Sequence, residues 1–230
     1  MSHPAEHAAS AQQTVLTVRA VLFDMDGTLV DSTAVVEQVW SEFAHRYGLD
    51  IDEILRTSHG VQAGDTVRRF APADADVAAL TAELGDMERS RTDGVIALPG
   101  AEAVLQALPD EATALVTSAD SILAGIRMRA ARLSMPSTTV FSEAVTRGKP
   151  HPEGYLTAAA LLGVEPADVV VFEDAPAGIA AARAAGMRTV VVGDAGGDLE
   201  EGMWRIQDYT SVTVTAVKDD DGGHLITLTL

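Results

Sequence analysis

The stretch Ala20-Val21-Leu22-Phe23-Asp24-Met25-Asp26-Gly27-Thr28-Leu29-Val30-Asp31-Ser32 constrains this chain more than any other. A run of apolar residues reads as a buried strand. Two aspartates, one residue apart, follow it and meet a glycine. Side chains alternate along a strand, so Asp24 and Asp26 point to one side and Met25 to the other. Gly27 lets the backbone turn tightly straight afterwards. Carboxylates at the end of a buried strand are costly unless a cation or hydrogen bonds compensate them. The pattern reads either as a metal site or as a polar strand-to-loop junction.

The region after this strand is helical. Asp31-Ser32 can cap a helix start, and Val35, Val36, Val39, Trp40, Phe43 and Tyr47 fall on one helical face before Gly48 ends it. Asp52 to Ser58, Gly64 to Phe70 and Asp74 to about Arg91 are also helix-like, broken by Gly60, Gly64 and Pro72. No strand-like run lies between Thr33 and Asp93, so this block reads as a helical insert. After Pro99-Gly100 the pattern alternates. Apolar strands at Ala112 to Val116, Thr138 to Phe141, Val169 to Phe172 and Thr189 to Val192 are separated by helical stretches at Ser121 to Leu133, Glu153 to Leu162 and Ala177 to Ala185. Such alternation predicts right-handed crossovers and a parallel sheet, hence an α/β layered core carrying a small helical cap. Thr210 to Val217 and Leu225 to Leu230 flank Asp219-Asp220-Asp221-Gly222-Gly223 and predict a terminal β-hairpin that covers or extends a sheet edge. The expected division is a loose tail over 1–17, a core of 18–32 plus 93–230, and a cap over 33–92.

Four of the strands end in residues able to do chemistry: Phe23 before Asp24, Val116 before Thr117, Phe141 before Ser142 and Phe172 before Glu173-Asp174. Ligands bind beyond the carboxyl ends of the strands of an open parallel sheet. Asp24, Asp26, Thr117, Glu173 and Asp174 are thus expected to share one crevice. The chain has no cysteine, which excludes disulfides, thiolate zinc sites and cysteine nucleophiles. Clustered acids without thiolates suit a hard cation, and Mg²⁺ is the natural candidate. Taken singly, Glu173-Asp174 reads equally well as acids at a helix N-terminus.

With a formal charge of -18, the surface repels nucleic acid and anionic membranes, and neither is expected as a partner. The same charge opposes any anionic substrate, so an anion site here needs its own positive group. The chain has only two lysines, Lys149 and Lys218. Lys149 sits in the stiff segment Gly148-Lys149-Pro150-His151-Pro152, from which it can put a compact charge into the crevice. No apolar run approaches the roughly 18 residues of a membrane helix, and the first residues lack a signal-peptide pattern. A cytoplasmic protein, monomeric or weakly dimeric, is expected.

These residues resemble a family. Asp24-Met25-Asp26-Gly27-Thr28-Leu29-Val30-Asp31-Ser32, Val116-Thr117-Ser118, Gly148-Lys149-Pro150 and Val171-Phe172-Glu173-Asp174-Ala175-Pro176-Ala177-Gly178 look like the four ordered motifs of haloacid-dehalogenase-like (HAD-like) hydrolases. The helical insert resembles the cap of the subgroup that includes β-phosphoglucomutase and small sugar-phosphate phosphatases. The cap stretches Thr57-Ser58-His59-Gly60 and Asp65-Thr66-Val67-Arg68-Arg69-Phe70 are similar to 2-deoxyglucose-6-phosphate and glycerol-3-phosphate phosphatases. The resemblance implies a Rossmann-like parallel sheet core and a phosphatase of small phosphorylated sugars or polyols. It implies that Asp24 is the nucleophile that forms an aspartyl-phosphate, and that Asp26 is the general acid and base. It implies Mg²⁺ held by Asp24, Asp174, the Asp26 carbonyl and Glu173, with Thr117 and Lys149 on the phosphoryl oxygens beside the backbone around Ser118 and Ala119. His59, Gly60 and Arg68 would read the sugar. A mutase of the β-phosphoglucomutase kind would share every core residue, and a silent binding module on the same fold would be expected to lose one of them. Dehalogenation does not need Asp26. A Schiff-base phosphonatase would need a cap lysine, and none lies between Thr33 and Asp93.

Overall fold

The computed structural model describes residues 13–194, 199–200 and 202–230. Its strands are β1 (Val15–Val18), β2 (Ala20–Phe23), β3 (Val30–Asp31), β4 (Ile96–Ala97), β5 (Thr113–Val116), β6 (Thr138–Val140), β7 (Val169–Glu173), β8 (Arg188–Val192), β9 (Met203–Ile206), β10 (Thr213–Lys218) and β11 (His224–Thr229). Its helices are α1 (Thr33–Tyr47), α2 (Ile51–Ser58), α3 (Ala63–Phe70), α4 (Val77–Ser90), α5 (Ala101–Ala107), α6 (Ser121–Ala130), α7 (Glu153–Leu162) and α8 (Pro176–Ala184).

Six strands form a parallel sheet in the order β6-β5-β2-β7-β8-β9. The apolar runs at its centre are buried on both faces, as the parallel arrangement demands. Alternation sorts their side chains into two layers. Ala20, Leu22, Val169 and Val171 pack with Tyr155 and Ala158 of α7 and Ala181 and Ala182 of α8. Val21, Phe23, Val170 and Phe172 belong to the opposite core, which contains Val104 of α5, Met128 of α6 and residues of α1 to α4. The rings of Phe23 and Phe172 stack at 5.0 Å within it.

The strand order explains where a ligand can bind. From β2 the chain builds outward through β5 and β6, then returns to the other side of β2 with β7. The crevice at such a reversal opens beyond the carboxyl ends of the strands. Between β3 and β4 the chain leaves the sheet for α1 to α4. The outgoing and returning segments pair antiparallel at Val30 with Ala97 and Asp31 with Ile96. This two-stranded stalk fixes the helices above the crevice.

Two expectations are corrected, one is sharpened, and one strand is added. The loose tail through Thr17 ends sooner, because Val15–Val18 is a strand whose Leu16 and Val18 are buried; residues 1–12 of that tail lie outside the described residues. The expected terminal hairpin forms, and it pairs with β1 in a three-stranded sheet of its own, β1-β11-β10. The edge of the parallel sheet is taken by β9, whose half-buried residues gave no clear alternation. Ser32 precedes α1 without capping it through its side chain; Asp31 accepts from the Thr33 N–H at 3.1 Å instead. No helix among the described residues is long and apolar enough to cross a membrane.

Candidate active site

Three strand ends converge. Asp24 follows β2, Thr117 follows β5, and Glu173 closes β7 with Asp174 next to it. A cavity of about 150 Å³ opens there, lined by Asp24, Asp26, Thr117, Ser118, Asp174 and, from the helices above, Trp40 and Glu88. Of the residues expected to share this crevice, Asp24, Asp26, Thr117 and Asp174 line it, whereas Glu173 and Lys149 do not.

Asp24 is 4% exposed, Lys149 7% and Glu173 0%. Lys149 Nζ donates to Asp24 Oδ1, to Glu173 Oε1 at 2.7 Å and to the Val116 carbonyl at 3.2 Å. Burial alone would lower the Lys149 pKa, but the two carboxylates outweigh it and hold the ammonium well above its ordinary value. Asp174 faces Asp24 from β7, steadied by the Thr28 hydroxyl donating at 2.9 Å. The conformation after β2 serves this carboxylate. Gly27 has φ +81°, and a Cβ on it would fall 2.0 Å from Asp174 Oδ2. Gly178 has a similar role, since its Cβ would fall 1.4 Å from Glu173 Oε1 where α8 begins.

Oxygen atoms of Asp24, Glu173 and Asp174 lie within 4.8 Å of one another. Among the described residues one ammonium, Lys149, is paired with this group. The surplus negative charge shows in the proton affinities: burial, then Glu173 and Asp174, push Asp24 well up against the pull of Lys149. Burial, then Glu173, push Asp174 up to about 7. An all-oxygen donor set with excess negative charge fits a divalent cation. The three members are not equivalent. Asp24 and Asp174 line the cavity. Glu173 stands behind them, its oxygens accepting from Lys149, from the Tyr155 hydroxyl at 3.0 Å and from the Ala175 N–H at 2.8 Å.

Asp26 lies at the cavity wall rather than in this cluster. Its carboxylate accepts from the Ser32 hydroxyl at 2.7 Å and from Arg127 Nη1 at 2.8 Å. Thr117 lines the cavity and its hydroxyl oxygen accepts from the Ala119 N–H at 3.1 Å. The Ser118 hydroxyl donates to the Gly60 carbonyl at 2.8 Å, so it ties the loop after α2 to the sheet. His59, Gly60 and Ala119 line the cavity. Arg68 does not. Its side chain is 66% exposed and pairs with Asp65 on the surface of α3.

The profile of haloacid dehalogenase-like hydrolases matches residues 18–186. The chain belongs to this family. Hexitol phosphatase A of Escherichia coli (strain K12) is 44% identical over 178 residues, covering 76% of this chain and 82% of that protein. The 2-deoxyglucose-6-phosphate phosphatase 1 of Saccharomyces cerevisiae is 34% identical over 235 residues, covering 89% and 93%. A hydrolase crystal structure from Pseudomonas syringae superposes with a TM-score of 0.71 at 26% identity, covering 81% of this chain and 92% of that one. Within the family framework two residues absent from the sequence reading stand out, Arg127 and Glu88. Both line the cavity, from α6 and α4. The signal for Arg127 is a charge set among Leu123, Ala124 and Met128 on the buried face of its helix. Glu88 carries no such mark.

Proposed function

We propose that this HAD-like hydrolase is a phosphoric monoester hydrolase of small phosphorylated sugars or polyols, and that it works through a phosphoryl-enzyme on Asp24. One observation carries the reading: a buried carboxylate at the cavity floor, gripped by a buried lysine and faced by Asp174. The phosphatase names of the relatives support the reaction class.

An Asp24 oxygen bonds to phosphorus while the bond from phosphorus to the substrate oxygen breaks. Asp26 gives its proton to the departing alkoxide. Asp26 then takes a proton from water as that water attacks phosphorus and frees Asp24 with release of inorganic phosphate. Lys149, the Thr117 hydroxyl and the backbone N–H groups after β2 and β5 hold the phosphoryl oxygens, where the negative charge is spread. These groups answer the repulsion that an acidic chain imposes on an anion. Asp24 and Asp174 would hold Mg²⁺, with the Asp26 carbonyl nearby and Glu173 supporting from behind. Bound there, such a cation would neutralise part of the phosphoryl charge. Residues 33–92 act as a cap, bringing His59, Gly60 and Trp40 over the substrate and excluding water.

Phosphate release from hexitol phosphates, 2-deoxyglucose 6-phosphate and glycerol phosphate, with and without Mg²⁺, tests this. Turnover should depend on Mg²⁺ and fall by at least about a thousandfold in Asp24→Asn. Turnover indifferent to both overturns the mechanism. Labelled phosphate moving within a hexose phosphate, with little released, replaces the hydrolase by a mutase.

A further inference from the structure

Glu88 and Arg127 meet at the cavity wall, one from the helices above the sheet and the other from α6. The Arg127 side chain is 5% exposed and that of Glu88 13%. Arg127 Nη1 donates to Asp26, while Nη2 stands 3.5 Å from Glu88 Oε1. Neither Nη2 nor Nε has a hydrogen-bond partner. Nη2 is thus held by the ion pair to Glu88 alone and Nε by nothing, so this buried guanidinium is only partly satisfied where it meets the cavity wall.

Charge says which kind of atom. Among the described residues Arg127 is the only lysine or arginine on the cavity wall, and Lys149, at the Asp24 end, already faces Asp24 and Glu173. The single positive charge of Arg127 already faces two carboxylates, Asp26 and Glu88. No positive charge is left over for a second phosphate or a carboxylate. The wall offers donors on Arg127, an acceptor on Glu88, and the apolar surfaces of Trp40 and Leu123 beside them. A hydroxyl can accept from the one and donate to the other, and a carbon chain can lie on the apolar surfaces.

We propose that Glu88 and Arg127 form a hydroxyl-reading subsite for the uncharged end of the substrate. The pair selects polyol and sugar monophosphates and rejects phosphates bearing a second anionic group. This rests on the phosphatase reading above and adds the group that sets its specificity. Discrimination of this sort is strong where a substrate hydroxyl satisfies buried polar groups, because the analogue lacking it leaves them unpaired.

The test compares kcat/KM of the wild type and Glu88→Gln on three substrates: a hexitol phosphate, hexyl phosphate and 6-phosphogluconate. The wild type should prefer the hexitol phosphate to each of the others by tenfold or more. In Glu88→Gln, which keeps shape and removes charge, the preference over hexyl phosphate should shrink at least threefold, and 6-phosphogluconate should gain at least threefold relative to the hexitol phosphate. Smaller changes in the variant overturn the subsite. A wild-type preference over hexyl phosphate or over 6-phosphogluconate below tenfold overturns it without any variant, so a poorly folding Glu88→Gln leaves the test intact. Release of phosphate from none of the three by the wild type overturns the phosphatase reading and the subsite together, whereas wild-type turnover with unaltered ratios overturns the subsite alone.

Discussion

Lys149 Nζ donates to Glu173 Oε1 at 2.7 Å, so the lysine's support comes from behind the cavity as well as from Asp24 within it. Glu173 and Asp174 are neighbours in sequence, yet their carboxylates face different tasks. Asp174→Asn should lower divalent-metal affinity by more than about a hundredfold. Glu173→Gln should lower it no more than about tenfold, as expected of a group that supports ligands, while still cutting turnover by loosening Lys149. Titration calorimetry on both variants decides this; equal losses would make Glu173 a ligand.

The raised pKa of Asp174 sets a pH dependence. Metal binding needs the carboxylate, and in the metal-free protein burial and Glu173 put this group at about 7. Apparent metal affinity should therefore fall about tenfold per pH unit below about 7 and level off above it. Folding responds in the opposite sense. The folded pKa lies above the model-peptide value of 3.8, so the folded state binds more protons across that window. The contribution of Asp174 to metal-free stability should fall as pH rises from about 4 to about 7, read as the difference in denaturant midpoint between the wild type and Asp174→Asn at several pH values. A wild-type advantage over Asp174→Asn that grows across this window would contradict the assignment.

Gly27→Ala should injure the metal site without touching a ligand. The added Cβ would meet the Asp174 carboxylate at φ +81°. A cost of about 1–3 kcal/mol from the left-handed backbone is expected. Metal affinity should drop by at least about tenfold as Asp174 is displaced. Parallel melting and metal titration would separate the two effects.

Phe172→Ala should be the more destabilising change in the core, by about 3–5 kcal/mol, because a buried ring stacked on Phe23 is replaced by a cavity. Arg68→Ala should do little: kcat/KM within about twofold and stability within about 0.5 kcal/mol, since its charge is exposed and paired with Asp65 only. A large kinetic loss in Arg68→Ala would restore its substrate role.

The contrast between Arg68 and Arg127 shows what was legible in the sequence. Asp24, Thr117, Lys149 and Asp174 each stand at the end of an apolar strand or in a stiff loop, so local pattern and strand topology together locate them. Helical residues lack that anchor. Arg68 and Arg127 both lie on helices, and which of them turns inward depends on how α3 and α6 pack, which period alone does not reveal. Glu88 is harder still, because its neighbours in α4 are mostly polar and it is α6 across the gap that buries it. The strands β1 and β9 escaped for a related reason: β1 is buried only by pairing with β11, and β9 only half-buried beside β8.

The pairing of β1 with β11 bears on the order in which the molecule is made. Val15 sits opposite Thr229 in register, so β1 finds its partner only when the chain through β11 has emerged. By then β2, β5 and β7, and the crevice between their ends, have every residue they need. Ile226 and Leu228 of β11 share one core with Leu16, Val18, Phe23 and Phe172, so a chain stalled before β11 would leave that core without one wall while its catalytic strands were complete.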